Sequence, residues 1–274
     1  MMSGKSVIIT GSGRGLGRAY AKAVAEHGGE VVVNDIDFEC AVAVRDEIVA
    51  AGGKAVASGA SVQTPDQAQS LIDCCIENFG KVDCLVNNAA IMTISAPDEE
   101  SLESIRTTIE VNLLGTVFCG LAAMRQMRRQ QAGVIVNVIS GAALGLPNMG
   151  AYGASKGGVC SLVYNWSLDL AGSPIRVSGL SPVADTRLAD SADGYGRTVR
   201  PNLAAPEDIA PVLVYLLSDK ASHLHGAIVR LADGQLSMIA PPVAGPVLGN
   251  NKHWSQEQLH EALGRTTFTT ADFR

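Results

Sequence analysis

Short β-branched runs alternate with longer amphipathic stretches along most of the chain. "SVIIT" (6–10) leads into a helical stretch reaching about His27, and "EVVVND" (30–35) into "FECAVAVRDEIVAAGG". "KAVAS" (54–58) leads into "TPDQAQSLIDCCIENFG", where Thr64 or Asp66 can cap the helix. "VDCLVNN" (82–88) precedes a long helix over about 99–130, and "GVIVNVIS" (133–140) precedes a helix holding "GAYGASKGG" (150–158). "IRVSGLSP" (175–182) and "AIVRLADG" (227–234) complete the set. Continuous apolar runs between helices describe strands buried on both faces. Seven of them, joined by right-handed crossovers, predict an α/β fold with a doubly wound parallel sheet of about seven strands. After Gly234 the pattern changes. "APPVAGPVLGNN" (240–251) is rich in Pro and Gly, and "SQEQLHEALG" (255–264) holds Ser255 and Gln258 in a capping-box arrangement, with Gly264 placed for the C′ position. Residues 1–237 are therefore expected to form a single domain, and 238–274 an appended arm with a short helix. Trp254, Leu259, Leu263, Phe268 and Phe273 are the arm's apolar anchors. So short a helix is not stable alone, so the arm packs on its own subunit, packs on a neighbour or is disordered, and its five large apolar residues disfavour disorder.

Composition agrees with a large core: 47% of the 274 residues are hydrophobic. The formal net charge of −6 and the lack of a long Lys/Arg block point away from a nucleic-acid partner. The densest basic patch, "RQMRRQ" (125–130), reads as the solvated end of a helix. No uninterrupted apolar run approaches the ~18 residues of a membrane span. The N-terminus enters a strand at once, without a signal-peptide core, so a cytoplasmic protein is expected. Cys40, Cys74, Cys75, Cys84, Cys119 and Cys160 form no C-x-x-C and read as buried free thiols. The five histidines form no metal constellation; His223 and His225 read as loop residues.

"TGSGRGLG" (10–17) follows the first strand directly and opens the first helix. Gly11, Gly15 and Gly17 allow a tight turn and a close approach to a pyrophosphate, and the helix N-terminus presents free N–H groups to it. That is the layout of a Rossmann-type nucleotide site. Asp35, 18 residues past Gly17, ends the second strand where a carboxylate would accept hydrogen bonds from the adenosine ribose. The same carboxylate repels a 2′-phosphate, whereas Arg14 would attract one. The balance favours NAD over NADP.

With these pieces in place the chain resembles the short-chain dehydrogenase/reductase family over about residues 3–235. "TGSGRGLG" matches the family's cofactor loop, with Gly11, Ser12, Arg14, Gly15, Leu16 and Gly17. "NNAA" (87–90) matches its asparagine turn, with Asn88, Ala89 and Ala90. "VNLLG" (111–115) holds the family's catalytic asparagine, here Asn112. "VNVIS" (136–140) ends in its serine, Ser140, and Tyr152 with Lys156 matches its Tyr-x-x-x-Lys. Three departures stand out. Ala90 replaces a glycine, Ser61 in "ASV" (60–62, ending at Val62) replaces a common aspartate, and Val183 follows Pro182 where the family has Pro-Gly. Thr186, which in the family bonds the nicotinamide carboxamide, is kept.

The resemblance implies hydride transfer from a secondary alcohol to nicotinamide, with Tyr152 as base. Tyrosine has a reference pKa near 10, so poising it near neutrality takes about three units, or ~4 kcal/mol. An ammonium at ~4 Å, at an effective dielectric of ~20, supplies roughly that. Lys156, at i+4, shares a helix face with Tyr152. The resemblance has Ser140 bond the substrate oxygen and Asn112 hold a water that relays the proton from Lys156. The expected substrate pocket, Ile91, Met92, Ala142, Leu144, Leu146 and Met149 together with Val183, is apolar and favours a ring or chain alcohol over a sugar. "ADTRLADSADGYGRTVRPNL" (184–203) reads as a lid whose Arg187, Arg197 and Arg200 are solvated, with a carboxylate or coenzyme A thioester as the alternative ligand. The leading reading is an NAD-dependent secondary-alcohol dehydrogenase. The alternatives are a 3-hydroxyacyl-CoA or hydroxysteroid dehydrogenase, or an inactive NAD-binding scaffold. A homo-oligomer, tetramer or dimer, is expected through helix faces that carry Phe118, Leu121, Leu162 and Trp166.

Overall fold

The computed structural model of the chain describes residues 1–184 and 203–264, in two units, Met1–Ile239 and Ala240–Arg274. Seven parallel strands form most of one sheet in the first unit. They are β1 (Ser6–Ile9), β2 (Glu30–Asn34), β3 (Lys54–Ser58), β4 (Cys84–Asn87), β5 (Gly133–Val138), β6 (Ile175–Pro182) and β7 (Ile228–Ala232). An eighth strand, β8 (Gln235–Ile239), runs antiparallel along the β7 edge. The order is β3-β2-β1-β4-β5-β6-β7-β8, so the winding reverses between β1 and β4, where an open α/β sheet forms its ligand crevice.

The strand count is one more than the periodicity predicts. β8 pairs Gln235 with Ala232 and Ile239 with Ile228 across a tight turn. Asp233 and Gly234 both have positive φ there, as the twist of a two-residue hairpin requires. Its residues are exposed except Ile239, so the strand lacks the continuous apolar run that marks the others. The expected boundary at 237 falls inside this strand.

Among the described residues, the helices of the first unit are α1 (Gly15–Glu26), α2 (Phe38–Ala50), α3 (Pro65–Phe79), α4 (Leu102–Ile109), α5 (Gly115–Gln130), α6 (Gly150–Asp169) and α7 (Pro206–Leu217). Side-chain caps set several starts: Asp37 accepts from Cys40 N, Thr64 from Gln67 N and Ser101 from Ser104 N. The long helix expected over 99–130 is two helices joined by a π turn, Glu110–Leu114, with the Gly115 N–H reaching back to the Glu110 carbonyl. By length and composition the stretch Leu102–Gln130 would also pass for a membrane span, but half of its apolar window is buried inside the protein.

Two large clusters fill the faces of the sheet. Tyr20, Val24, Val44, Ile48, Leu213 and Leu217, from α1, α2 and α7, pack on Val7, Val31 and Val86. Leu71, Ile72, Cys119, Ala123 and Met127, from α3 and α5, pack on Ile8, Leu85 and Ile135. A third, around Val159, Val163 and Ile228, seats α6.

In the second unit, α8 (Gln256–Leu263) starts with the expected capping box: Ser255 Oγ accepts from Gln258 N, and Gln258 Oε1 accepts from Ser255 N. Gly264 stays right-handed at φ −66, so the helix ends without the left-handed turn expected there. The Trp254 ring lies against Gly249. Phe268 and Phe273 lie outside the described residues. Among the described residues, every member of the core clusters lies within Met1–Ile239. A chain ending at Ile239 should therefore unfold cooperatively, with a Tm within about 3 °C of the full chain by calorimetry. A lost or broadened transition would show that the arm is part of the folding unit.

Candidate active site

The crevice between β1 and β4 is built from the backbone outward. Gly11 takes φ +61 over Ala89, and a Cβ at Gly17 would stand 2.2 Å from the Gly11 carbonyl oxygen. Those two contacts require glycine, because they turn the chain tightly from β1 into α1. Asn88, just after β4, donates from Nδ2 to the carbonyls of Thr10 (3.0 Å) and Gly11 (2.9 Å). Thr10 Oγ1 accepts from the N–H groups of Asn88 and Ala89. The turn is thus tied to the neighbouring strand at the point where the sheet divides.

No side chain caps α1, and no acid stands in its first turn. This uncapped N-terminus beside a glycine-rich turn fits the diphosphate of a dinucleotide. Asp35 Oδ2 accepts from Gly13 N at 3.0 Å and Oδ1 from Asp37 N at 3.1 Å, which fixes the carboxylate at the rim of the turn. Other expected cofactor residues have structural duties. The Ser12 hydroxyl is fully buried; it donates to the Ile9 carbonyl and accepts from Asn34 N. Val62 packs in the core against Gly115. The Ser61 N–H donates to Gln67 Oε1 at 2.7 Å. On the far side of the crevice, Pro182 ends β6 and Val183 N donates to the Leu231 carbonyl. Thr186, with most of the expected lid and its three arginines, lies outside the described residues.

Tyr152 and Lys156 occupy consecutive turns of α6, both almost wholly buried. Lys156 Nζ lies 6.0 Å from the centroid of the Tyr152 ring and donates to the Val138 carbonyl of β5 at 2.8 Å. Burial pulls its pKa down to about 8. Ser140, two residues past Val138, caps a short 3-10 turn (Gly141–Leu144) by accepting from Ala142 N.

Asn112 is placed by the π turn, a device that re-aims a helical side chain. Its amide is fully enclosed. Oδ1 accepts from Ile91 N, and Nδ2 donates to the Ile91 carbonyl and to Ser155 Oγ. Both amide protons are spent, so the side chain clamps the strand exit to α6. Its main-chain carbonyl accepts from Thr116 Oγ1.

Three neighbours escaped the sequence reading. Ser155 donates to the Tyr152 carbonyl and accepts from Asn112; its i+3 step from the tyrosine was the available signal. Arg230 of β7 donates to Ser181 Oγ beside Gly141, and nothing in its local sequence marks it. Glu100 accepts from Ala151 N at the start of α6. The expected pocket residues divide in two. Ala142 and Met149 are buried with Ile94 against Tyr152, and Met92 packs on them, so they support the ring. Ile91, Leu144 and Leu146 are exposed.

The short-chain dehydrogenase family model matches residues 5–193. The chain belongs to the short-chain dehydrogenase family. A cyclohexanol dehydrogenase from Acinetobacter sp. (strain SE19) is 34% identical over 81% of this chain and 91% of its own length. The crystal structure of a short chain dehydrogenase from Mycobacterium avium superposes with a TM-score of 0.86, at 32% identity, covering 96% of this chain and 94% of that one. A 7α-hydroxysteroid dehydrogenase, solved with NADH and 7-oxo glycochenodeoxycholic acid, superposes with a TM-score of 0.78, at 33% identity, over 85% of this chain and 94% of its own. As a short-chain dehydrogenase the protein is an oxidoreductase acting on CH–OH groups, in a family that typically binds a nicotinamide cofactor.

Lys156 makes its burial measurable. Its folded-state pKa of about 8 lies below the ~10.4 of an unfolded lysine. Below pH 8 both states are protonated and the folded protein bears the whole cost of the buried charge; between 8 and ~10.4 the unfolded state holds more protons and the cost falls. In cofactor-free protein, Lys156→Met should therefore gain most over wild type near pH 7, and the difference should shrink by on the order of 3 kcal/mol by pH 10.5. Urea unfolding at both pH values checks this, and a difference that does not vary with pH would place the ammonium in water.

Proposed function

We propose that the protein is an NAD-dependent dehydrogenase of hydrophobic, ring-bearing secondary alcohols, reversibly forming the ketone with Tyr152 as base. The observation that carries this reading is the buried Lys156 ammonium, pinned to the Val138 carbonyl 6.0 Å from the Tyr152 ring centroid. A phenol gives up its proton more easily beside a fixed cation in a site of low dielectric. Nicotinamide, when bound, supplies the hydride acceptor. The glycine turn and the α1 N-terminus hold its diphosphate, and Asp35 takes the adenosine ribose. Ser140 donates to the substrate oxygen and orients the alcohol, while Tyr152 removes the hydroxyl proton. Lys156 keeps the phenolate stabilised. Asn112 positions the pair through Ser155 and the Ile91 clamp.

Preference for NAD rests on the Asp35 carboxylate, held at the rim by Gly13 N and Asp37 N. The related hydroxysteroid dehydrogenase, solved with NADH, is consistent with it. The ring substrate is supported by the exposed apolar side chains of Ile91, Leu144 and Leu146, and by relatives named for cyclohexanol and a hydroxysteroid. Six unpaired cysteines suit a reducing compartment, so we place the protein in the cytoplasm. Leu114, Leu121 and Leu168, exposed on the π turn, α5 and α6, suit a homo-oligomer built on that helix pair.

Following reduced nicotinamide by absorbance with NAD and a panel of cyclic and open-chain alcohols tests the reading. Cyclohexanol-like substrates should lead in kcat/KM. Tyr152→Phe should lose at least ~10²–10⁴-fold in kcat with NAD affinity within a few-fold of wild type. A variant keeping a third of wild-type kcat would remove Tyr152 from the role of base. NAD binding without turnover of any alcohol would favour a scaffold.

A further inference from the structure

Arg14 is the only basic residue in the turn at 10–17, and it stands at the head of α1, where it would meet a phosphate on the adenosine ribose. The structure gives it another partner. Its guanidinium is ion-paired with Asp37, the N-cap residue of α2. Asp37 is held firmly in turn. Oδ1 accepts from Cys40 N and Oδ2 from the Cys40 thiol, while its own N–H donates to Asp35 Oδ1. Asp35 completes a closed circuit by accepting from Gly13 N with its other oxygen. The Cys40 donors, then Arg14, keep the Asp37 carboxyl below the usual carboxylate range. The next cations along α1, Arg18 and Lys22, are likewise neutralised, both by Glu47 of α2.

A 2′-phosphate on adenosine needs a free cation and the absence of a facing carboxylate. This rim denies both, and it does so with two different residues. We propose that Asp37 is a second determinant of cofactor choice: it sequesters the Arg14 guanidinium that would otherwise pair with a 2′-phosphate. Asp35 repels the phosphate; Asp37 removes its counter-ion. The inference rests on the reading that Asp35 takes the adenosine ribose. It adds that Asp35 alone does not set the preference, because Arg14 stays occupied when Asp35 is removed.

The test needs no turnover. The ratio of affinities for adenosine 2′,5′-bisphosphate and adenosine 5′-monophosphate is measured by calorimetry at low salt, in wild type, Asp35→Ser, Asp37→Asn, the double variant, and the double variant carrying Arg14→Met. Asparagine keeps the N-cap of α2, and Asp37→Ser is a second cap-preserving variant should the first fold poorly. Asp35→Ser should raise the ratio about tenfold, by removing a like charge. Asp37→Asn alone should change it less than twofold, because Asp35 still repels. The double variant should exceed the product of the singles by about three- to fivefold, the scale of an exposed ion pair. Arg14→Met should erase that excess, and 0.5 M salt should shrink it. A double variant equal to the product of the singles, or an excess that survives Arg14→Met, overturns the role of Asp37. Wild type binding both ligands equally well would instead sink the reading of Asp35 itself.

Discussion

One ammonium kept out of water sets the terms for the rest of the site. Lys156 can be buried only because α6 brings it onto the Val138 carbonyl, and that carbonyl is at hand because β5 ends there, two residues before Ser140. The helix must therefore lie close to the strand, so small residues dominate its first turns. Gly153, against the Ala142 carbonyl, and Gly158, against Leu113, mark where the helix comes closest to its neighbours. The tyrosine is then confined between Lys156 on one side and Ala142, Met149 and Ile94 on the other. Each element near the reaction centre is placed relative to that charge: the serine turn by β5, the asparagine clamp through Ser155.

The nucleotide side follows a different rule. There the turn itself is backbone, and side chains serve to hold it. Asn88 and Thr10 stitch the turn to β4, Ser12 stitches it to β2, and Asp35 ties its Gly13 N–H to the rim of α2. A turn held this way gets its shape from local hydrogen bonds. Ser61 illustrates this: its N–H is engaged by Gln67 and its hydroxyl reaches Gln63, which keeps the turn shaped without the family's aspartate.

The parallel sheet, the glycine turn and the juxtaposition of Tyr152 with Lys156 were legible in the sequence because each rests on local pattern. Apolar runs mark doubly buried strands, and glycines mark the turn. The i+4 step places Tyr152 and Lys156 together. What was missed depends on partners far along the chain or on the surface. β8 has one buried residue, so its identity comes from pairing with β7 rather than from its own composition. The break in the long helix leaves no proline or glycine inside 110–114, since the cause is the demand that Asn112 reach Ile91. For the same reason the clamp made by the Asn112 amide left no mark in the sequence. Its partners, Ile91 and Ser155, lie 21 and 43 residues away.

The π turn also constrains how the chain can vary in length. It carries one residue more than an α-helical turn yet still closes a single turn, so removing that surplus would restore an ordinary helix and keep the 16 residues of α5 in phase with α4. Cys119, Ala123 and Met127 would stay in the core. What would be lost is the widened backbone turn that lets Asn112 reach Ile91. A deletion at this point is thus absorbed by the fold and felt at the clamp, whereas a deletion further along α5 would rotate the rest of that helix by about 100°. The aim of one amide is stored in the one residue that the helix could spare.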